Sequence, residues 1–254
     1  MRIVRYQQDG VARLGIIDGE DVHAAGGELF GQLQPGERIG RVDDLALLPP
    51  VAPSKIVAVG LNYADHAAES QRNLPAEPVL FMKPPTSLLG HRGAIVCPPG
   101  ADPVDYEAEL AVVIGRQARR VRPEDAYEYV LGLTCANDVS ARNFQRRDGQ
   151  WVRAKGFDTF CPLGPAIVTG VRADRLAIRS RLNGEVKQES NTAHLIFDVP
   201  CLLSFISWVM TLLPGDVILT GTPAGVGPMR AGDEIEVEIE GLGVLANSVT
   251  SAER

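Results

Sequence analysis

The sequence predicts a mostly β protein with a few helices, of the α+β class, and three features predict it. Seven apolar runs (KIVAVG, PVLFMK, ELAVVIG, VLGLTCAND, PAIVTG, DVILTG and DEIEVEIEG) each run into Gly, Pro, Asn or Asp, as strands do on entering turns. Asp9-Gly10 and Asp18-Gly19 are each followed by β-prone residues, the strongest short-range signal for a hairpin. Helical stretches are sparse and do not alternate with the strands, which excludes a doubly wound βαβ sheet.

The two Asp-Gly turns, leading into VARLGII and EDVHA, make a small β-rich unit of residues 1–52. The stretch LLPPVAPSK then separates it from a larger unit, residues 53–254, because prolines so close together favour extended linker backbone. The boundary is placed near Pro53. Three segments read as helix: Asp65 to Ser70, the stretch opened by Pro123-Glu124-Asp125-Ala126, and Pro200 to Leu213. The last is read as a buried helix, with Phe205 and Trp208 as core or dimer packing. There is no internal repeat and no low-complexity segment.

A chain of 254 residues with 45% hydrophobic and 22% charged residues can bury a full core. Its net charge of −7 is spread along the chain, so no basic footprint for nucleic acid or an anionic membrane exists. MRIVRYQQDG turns polar before it can form the apolar segment of a signal peptide, and Cys201 to Leu213 is too short to span a bilayer. Cys97, Cys135, Cys161 and Cys201 lie far apart, with no CxxC pair and no histidine at zinc-site spacing. The expectation is a cytoplasmic protein with reduced thiols.

The first candidate site lies in VDYEAELAVVIG. Glu107 and Glu109 stand two apart at the head of a strand, so alternation puts both carboxylates on one face. Such neighbours repel unless both face water or a cation lies between them. The AVVIG continuation is apolar on both faces, as in a buried strand whose polar end opens into a cavity. Asp138 ends another apolar run. Three carboxylates suit a hard cation, Mg²⁺ or Mn²⁺, whereas zinc or copper recruits His or Cys. The spacing is equally that of a solvated strand edge, with Asp138 a turn residue.

In NYADHAAES, Asp65 is placed to cap a short helix on which His66 and Glu69 share a face at i, i+3. A carboxylate beside an imidazole orients it and raises its basicity, which makes His66 a candidate general base; the alternative is a surface ion pair. Gly60 just upstream would let the segment move as a lid. GTPAGVG lacks the GK[ST] ending of a phosphate loop and opens no helix. His23, His91 and His194 receive no role.

Taken together and in order, GLNYADHAAES, PVLFMKPPTSLLG, VDYEAELAVVIG, NDVSARNFQ, AKGFDTFCPLGP and LTGTPAGVGPM resemble the fumarylacetoacetate hydrolase family. The resemblance runs from about Pro53 almost to the end. It is closest to the bacterial branch that includes the isomerase/decarboxylase of homoprotocatechuate degradation, the acylpyruvate hydrolases and the oxaloacetate decarboxylases. It implies a mixed β-roll with a small N-terminal domain, assembled as a homodimer. It also implies that Glu107, Glu109 and Asp138 are the metal ligands. Lys155 would contact substrate and hold developing negative charge, Arg142 and Gln145 would line the substrate site, and Thr222 would receive a carboxylate or carbonyl. His66 and Glu69 would be the dyad of hydrolytic members.

The implied chemistry is chelation of a 2-oxo acid or dicarboxylate, stabilisation of an enolate, and then one of three outcomes: C–C hydrolysis, loss of CO₂, or isomerisation. Hydrolysis of an acylpyruvate-like substrate ranks first because of the dyad. Isomerase/decarboxylase activity in aromatic catabolism ranks second. Two readings from other classes are a two-carboxylate glycosidase, disfavoured because Glu107 and Glu109 sit two apart on one strand, and a catalytically silent metal-stabilised binding protein.

Overall fold

The computed structural model describes residues 1–69 and 73–252. Among them the largest element is a mixed sheet of twelve strands. Its path runs Leu33–Arg41, Asp21–Gly27, Val11–Asp18, Arg2–Gln8, Cys161–Val168, Val130–Asn137, Ala108–Ile114, Val217–Leu219, Ile56–Gly60 and Val79–Lys83. A five-stranded sheet packs against it, with Glu185–Asn191 and Ala94–Cys97 at its edges, and a three-stranded sheet is built on Val104–Tyr106. Most neighbours are antiparallel. The Val217–Leu219 pair with Ile56–Gly60 and the Gly243–Ser251 pair with Ala94–Cys97 are parallel, which makes the sheets mixed.

The predicted turn chemistry explains the N-terminal meander. Gln8 pairs with Val11, leaving Asp9 and Gly10 as a two-residue loop with φ of 51° and 78°. Both values lie in the left-handed region, which Asp and Gly enter at the lowest cost. The meander joins the central sheet through Arg2↔Val168 and Ile3↔Ile167, so the first residues extend the main sheet. A hairpin that the sequence reading overlooked closes at Asn183-Gly184, with φ of 53° and 81°.

Strand alternation builds the core. Along Ala108–Ile114 every residue is buried, and successive side chains enter different clusters. Leu110, Val112 and Ile114 pack with Val237, Ile239 and Leu245 of the five-stranded sheet and with Leu202, Leu203 and Ile206 of helix Val199–Val209. Ala111 and Val113 pack with Ile3, Leu163 and Ile167 on the other side. A strand buried on both faces has no polar position except at its ends, which is where the carboxylates lie.

The helices differ in detail from expectation. Asp198 caps Val199–Val209, its Oδ1 accepting from the Cys201 N–H at 2.9 Å. That helix stops at Val209 rather than Leu213, and Met210 turns to extended backbone with φ −148°. Trp208 is not core: it is 63% exposed, with the Arg120 guanidinium 5.3 Å from its ring centroid. The helix expected at Asp65 to Ser70 is Ala64–Glu69, and Ser70 lies outside the described residues. Asp65 is therefore inside the first turn, with Oδ1 accepting from the His66 N–H at 2.7 Å and Oδ2 from the Ser190 hydroxyl at 3.1 Å. The Pro123 segment is a 3₁₀ helix, Pro123–Tyr129. Helices Arg142–Asp148 and Val152–Lys155 were not anticipated. Among the described residues no helix is long and apolar enough to cross a membrane.

Candidate metal centre and substrate pocket

Glu107 lies where the chain leaves the three-stranded sheet and enters the central one, between Val104–Tyr106 and Ala108–Ile114. It is thus at a break rather than on a continuous strand. Its N–H donates to Asn137 Oδ1 at 2.9 Å, and its carbonyl accepts from the Asp138 N–H at 2.9 Å. These bonds continue the Ala108↔Asn137 pairing and bring Asp138 beside the two glutamates. Carboxylate oxygens of Glu107, Glu109 and Asp138 lie within 4.8 Å of one another, with all three residues buried.

Two lysines and one arginine offset this charge. Lys155 Nζ donates to Glu107 Oε2 at 2.8 Å and to Asp138 Oδ2 at 2.5 Å. Lys83, which the sequence reading passed over, is 1% exposed and donates from Nζ to Asp138 Oδ1 at 2.5 Å. It ends the apolar run PVLFMK as Asp138 ends its own run, and that parallel was the available signal. Arg142 bridges Asp105 Oδ2 at 2.7 Å and Glu107 Oε1 at 2.6 Å, while its Nη1 donates to Gln145 Oε1 at 2.9 Å.

Glu109 is left out of this pairing. Among the described residues its carboxylate makes one hydrogen bond, from the Gly221 N–H at 2.6 Å, and no ion pair. Burial, then the charges of Asp138 and Glu107, push its carboxyl well above the usual range. Burial acts the same way on Glu107, but Lys155 and Arg142 outweigh it and hold that carboxyl below the usual range. The Lys155 ammonium is held above its ordinary value, because Asp138 and Glu107 outweigh its desolvation. A buried carboxylate with no cation of its own, facing two others, fits a site for a hard divalent ion. The donor set is all oxygen, as Mg²⁺ and Mn²⁺ prefer.

The cluster opens into a cavity of about 280 Å³. His66, Glu107, Glu109, Arg142, Gln145, Lys155 and Thr222 line it, together with Phe81, Arg146 and Trp151. Two of the sequence-predicted residues stand behind this wall. Asp138 is fully buried, and Glu69 sits behind His66 with Oε2 3.3 Å from Nδ1 and both carboxylate oxygens 3.2 Å from the Gly225 N. Thr222 Oγ1 accepts from Gln188 Nε2 at 2.8 Å, which leaves the threonine hydroxyl hydrogen free to donate. Gln188, 1% exposed, also accepts from the Ala108 N–H at 3.0 Å. No local sequence signal marked it.

Aromatic packing forms one side of the pocket. Trp151 meets Phe81 edge-on at 5.1 Å between centroids, and Lys155 Nζ lies 5.1 Å from the Phe81 ring. Gly60, the residue expected to let the His66 segment move, packs closely against the pocket wall: a Cβ there would lie 2.8 Å from Trp151 Cζ3. Gly221 has φ 96°, and a Cβ there would lie 2.8 Å from Asn62 Cβ, so both backbone and space require glycine where the N–H reaches Glu109. His91 accepts the Ala246 N–H at 3.1 Å, and His194 pairs with Ser190 Oγ at 3.3 Å.

A sheet-built cavity floored by acidic residues defines a class, and comparison with known proteins supplies the family. Residues 55–250 match the fumarylacetoacetate hydrolase C-terminal family model, and residues 1–50 match an Rv2993c-like N-terminal model. The chain belongs to the fumarylacetoacetate hydrolase family. It is 47% identical over 214 residues to the mitochondrial oxaloacetate tautomerase Fahd2a of Rattus norvegicus, covering 80% of this chain and 68% of that one. Among solved structures it resembles 2-hydroxyhepta-2,4-diene-1,7-dioate isomerase from Mycobacterium marinum, with TM-score 0.93, 44% identity and full coverage of both chains. It also resembles maleylpyruvate hydrolase from Sphingobium sp. SYK-6 in complex with manganese(II) and pyruvate, with TM-score 0.84, 31% identity and full coverage of both.

Proposed function

We propose that this protein is a Mg²⁺- or Mn²⁺-dependent enzyme that moves a proton at C3 of a 2-oxo acid, interconverting its keto and enol forms. The observation that carries the proposal is Glu109, a buried carboxylate without a cation, flooring a pocket that His66 also lines. Glu107, Glu109 and Asp138 would hold the ion, which when bound would supply the Lewis acidity that acidifies the C3–H of a 2-oxo acid.

The chain's own groups do the rest. His66 takes the C3 proton and returns it to oxygen, so no atom is gained or lost; Glu69, held by the Gly225 N–H, keeps the imidazole oriented. Lys155 has three N–H donors, of which two are committed to Glu107 and Asp138, and the third faces charge developing on the substrate oxygen. Arg142 is a positioning residue that fixes Glu107. The Thr222 hydroxyl receives the substrate carboxylate.

Similarity supports proton transfer over hydrolysis: the tautomerase and the isomerase stand at 47% and 44% identity, against 36% for a fumarylacetoacetate hydrolase from Exiguobacterium antarcticum and 31% for the maleylpyruvate hydrolase. Hydrolysis of an acylpyruvate is the second reading, favoured by the His66–Glu69 pair, a carboxylate beside an imidazole that would take a proton from water. One experiment separates them. Oxaloacetate and acetopyruvate are incubated with the protein and Mn²⁺, and products are followed by NMR. Accelerated keto–enol exchange without cleavage supports the first reading, release of acetate and pyruvate the second, and neither above the buffer rate would refute both.

We also propose a homodimer. Strand Val79–Lys83 ends the central sheet with Val79 47% and Met82 41% exposed, an apolar edge suited to a second copy. Light scattering giving a monomer mass would rule that out.

A further inference from the structure

We propose that Arg146 is the specificity determinant of the pocket: it receives a second carboxylate at the far end of the substrate, so that the preferred substrates are 2-oxo dicarboxylates. This rests on the reading of the site as a 2-oxo acid enzyme and goes beyond it in naming the residue that selects for the distal carboxylate.

Three observations carry the inference. First, the other pocket cations are committed. Lys155 is bound to Glu107 and Asp138, and Arg142 to Asp105, Glu107 and Gln145. A guanidinium held by two carboxylates has little left for a substrate anion. Second, Arg146 lines the same pocket four residues further along helix Arg142–Asp148, on the same helix face as Arg142. Among the described residues its guanidinium has no hydrogen bond, ion pair or ring partner. The neighbouring Arg147 and Arg153, by contrast, are tied to Asp148 and packed over Phe144.

Third, with Arg146 counted, the pocket keeps one positive charge after the head carboxylate is bound, which a second carboxylate would match. Asp105, Glu107, Glu109 and Asp138 face Lys83, Lys155 and Arg142, which leaves one negative charge. A divalent ion turns that into one positive charge, matched by the substrate's head carboxylate. A second carboxylate would then be unpaired in a small cavity, and Arg146 supplies the missing cation. Glu69, the other charged group near the mouth, is committed to His66 and the Gly225 N–H.

Two unreactive analogues test this by calorimetry with Mg²⁺ present. Oxamate carries the 2-oxo acid head alone, and N-oxalylglycine carries the same head with a distal carboxylate. The wild type should bind N-oxalylglycine more tightly. Arg146→Gln should weaken N-oxalylglycine by tenfold or more, the scale of a charge-assisted hydrogen bond, while oxamate shifts by less than about twofold. Arg146→Lys should restore part of the loss. Equal N-oxalylglycine affinity in wild type and Arg146→Gln, or equal weakening of both analogues, would overturn the inference while leaving the 2-oxo acid reading in place. Failure of the wild type to bind either analogue would overturn that reading instead.

Discussion

Replacing Glu109 by glutamine separates what this carboxylate does to the fold from what it does for a cation. In the metal-free chain its oxygens lie within 4.8 Å of those of Glu107 and Asp138. Two unit charges at that distance repel by about 3 kcal/mol at an effective dielectric near 20. Lys155 offsets one of the two repulsions, and protonation of the raised carboxyl limits the rest. Glutamine keeps an oxygen for the Gly221 N–H and removes the charge, so Glu109→Gln should stabilise the metal-free protein by about 1–3 kcal/mol. For a chain of this size that is a rise of roughly 2–12 °C in Tm.

The pH dependence has a definite sign. A carboxyl raised in the folded state binds its proton more tightly there than in the unfolded chain, so wild-type stability falls as pH rises above about 4.3. The advantage of glutamine should be absent near that pH and grow toward neutrality. Saturating Mn²⁺ should reverse the order, since binding at a hundredfold over Kd stabilises the native state by about 2.7 kcal/mol and the variant lacks a ligand charge. Thermal melts in chelator and in Mn²⁺ measure both signs. A variant less stable than wild type in chelator at neutral pH, or an equal Mn²⁺ shift in both proteins, would refute the reasoning.

Other outcomes follow from the same geometry. Glu107→Ala, or chelation of the wild type, should abolish turnover of every 2-oxo acid. His66→Ala should slow tautomerisation by roughly 10²- to 10⁴-fold and abolish any acylpyruvate hydrolysis, while oxaloacetate decarboxylation, which needs no base at C3, persists; intact hydrolysis in this variant would remove His66 from its role. Asp216→Ala should cost about 3 kcal/mol, because the buried Asp216 accepts from the Ser54, Lys55 and Leu213 N–H groups and the Ser54 hydroxyl and pairs with Lys55. Despite burial, these bonds hold the Asp216 carboxyl below its ordinary value. Its contribution is therefore complete above about pH 4 and fades as pH falls through the lowered folded value; urea titrations at two pH values check this.

The parts of the site that could be read from the sequence are those set by local rules. Alternation placed Glu107 and Glu109 together, and the break after Tyr106 preserves that convergence because the Asn137 side chain takes over the ladder bond of the Glu107 N–H. Asp138 was visible as the polar end of an apolar strand, and Lys83 followed the same rule unnoticed. Gln188, 34 residues from Thr222 and 80 from Ala108, is brought to both only by the five-stranded sheet, and no local pattern encodes that. The misplaced end of the helix after Pro200 has a similar origin. Apolar residues continue to Leu213, but the helix gives way to extended backbone at Met210 because Leu212 bridges to Ala118. Trp208, expected to serve core or dimer packing, lies on the surface at the end of that short helix, which leaves only the second of these roles.

The central claim is that a cation at Glu107, Glu109 and Asp138 activates C3 of a 2-oxo acid, and it is tested most directly with a substrate that can neither lose CO₂ nor be hydrolysed. 2-Oxoglutarate, a 2-oxo dicarboxylate with no carboxylate β to its keto group, serves in D₂O, with deuterium incorporation at C3 followed by NMR. The account predicts Mn²⁺-dependent exchange by the wild type that chelator and Glu107→Ala both abolish. Exchange that continues in chelator, or its absence while oxaloacetate is still turned over, would contradict it.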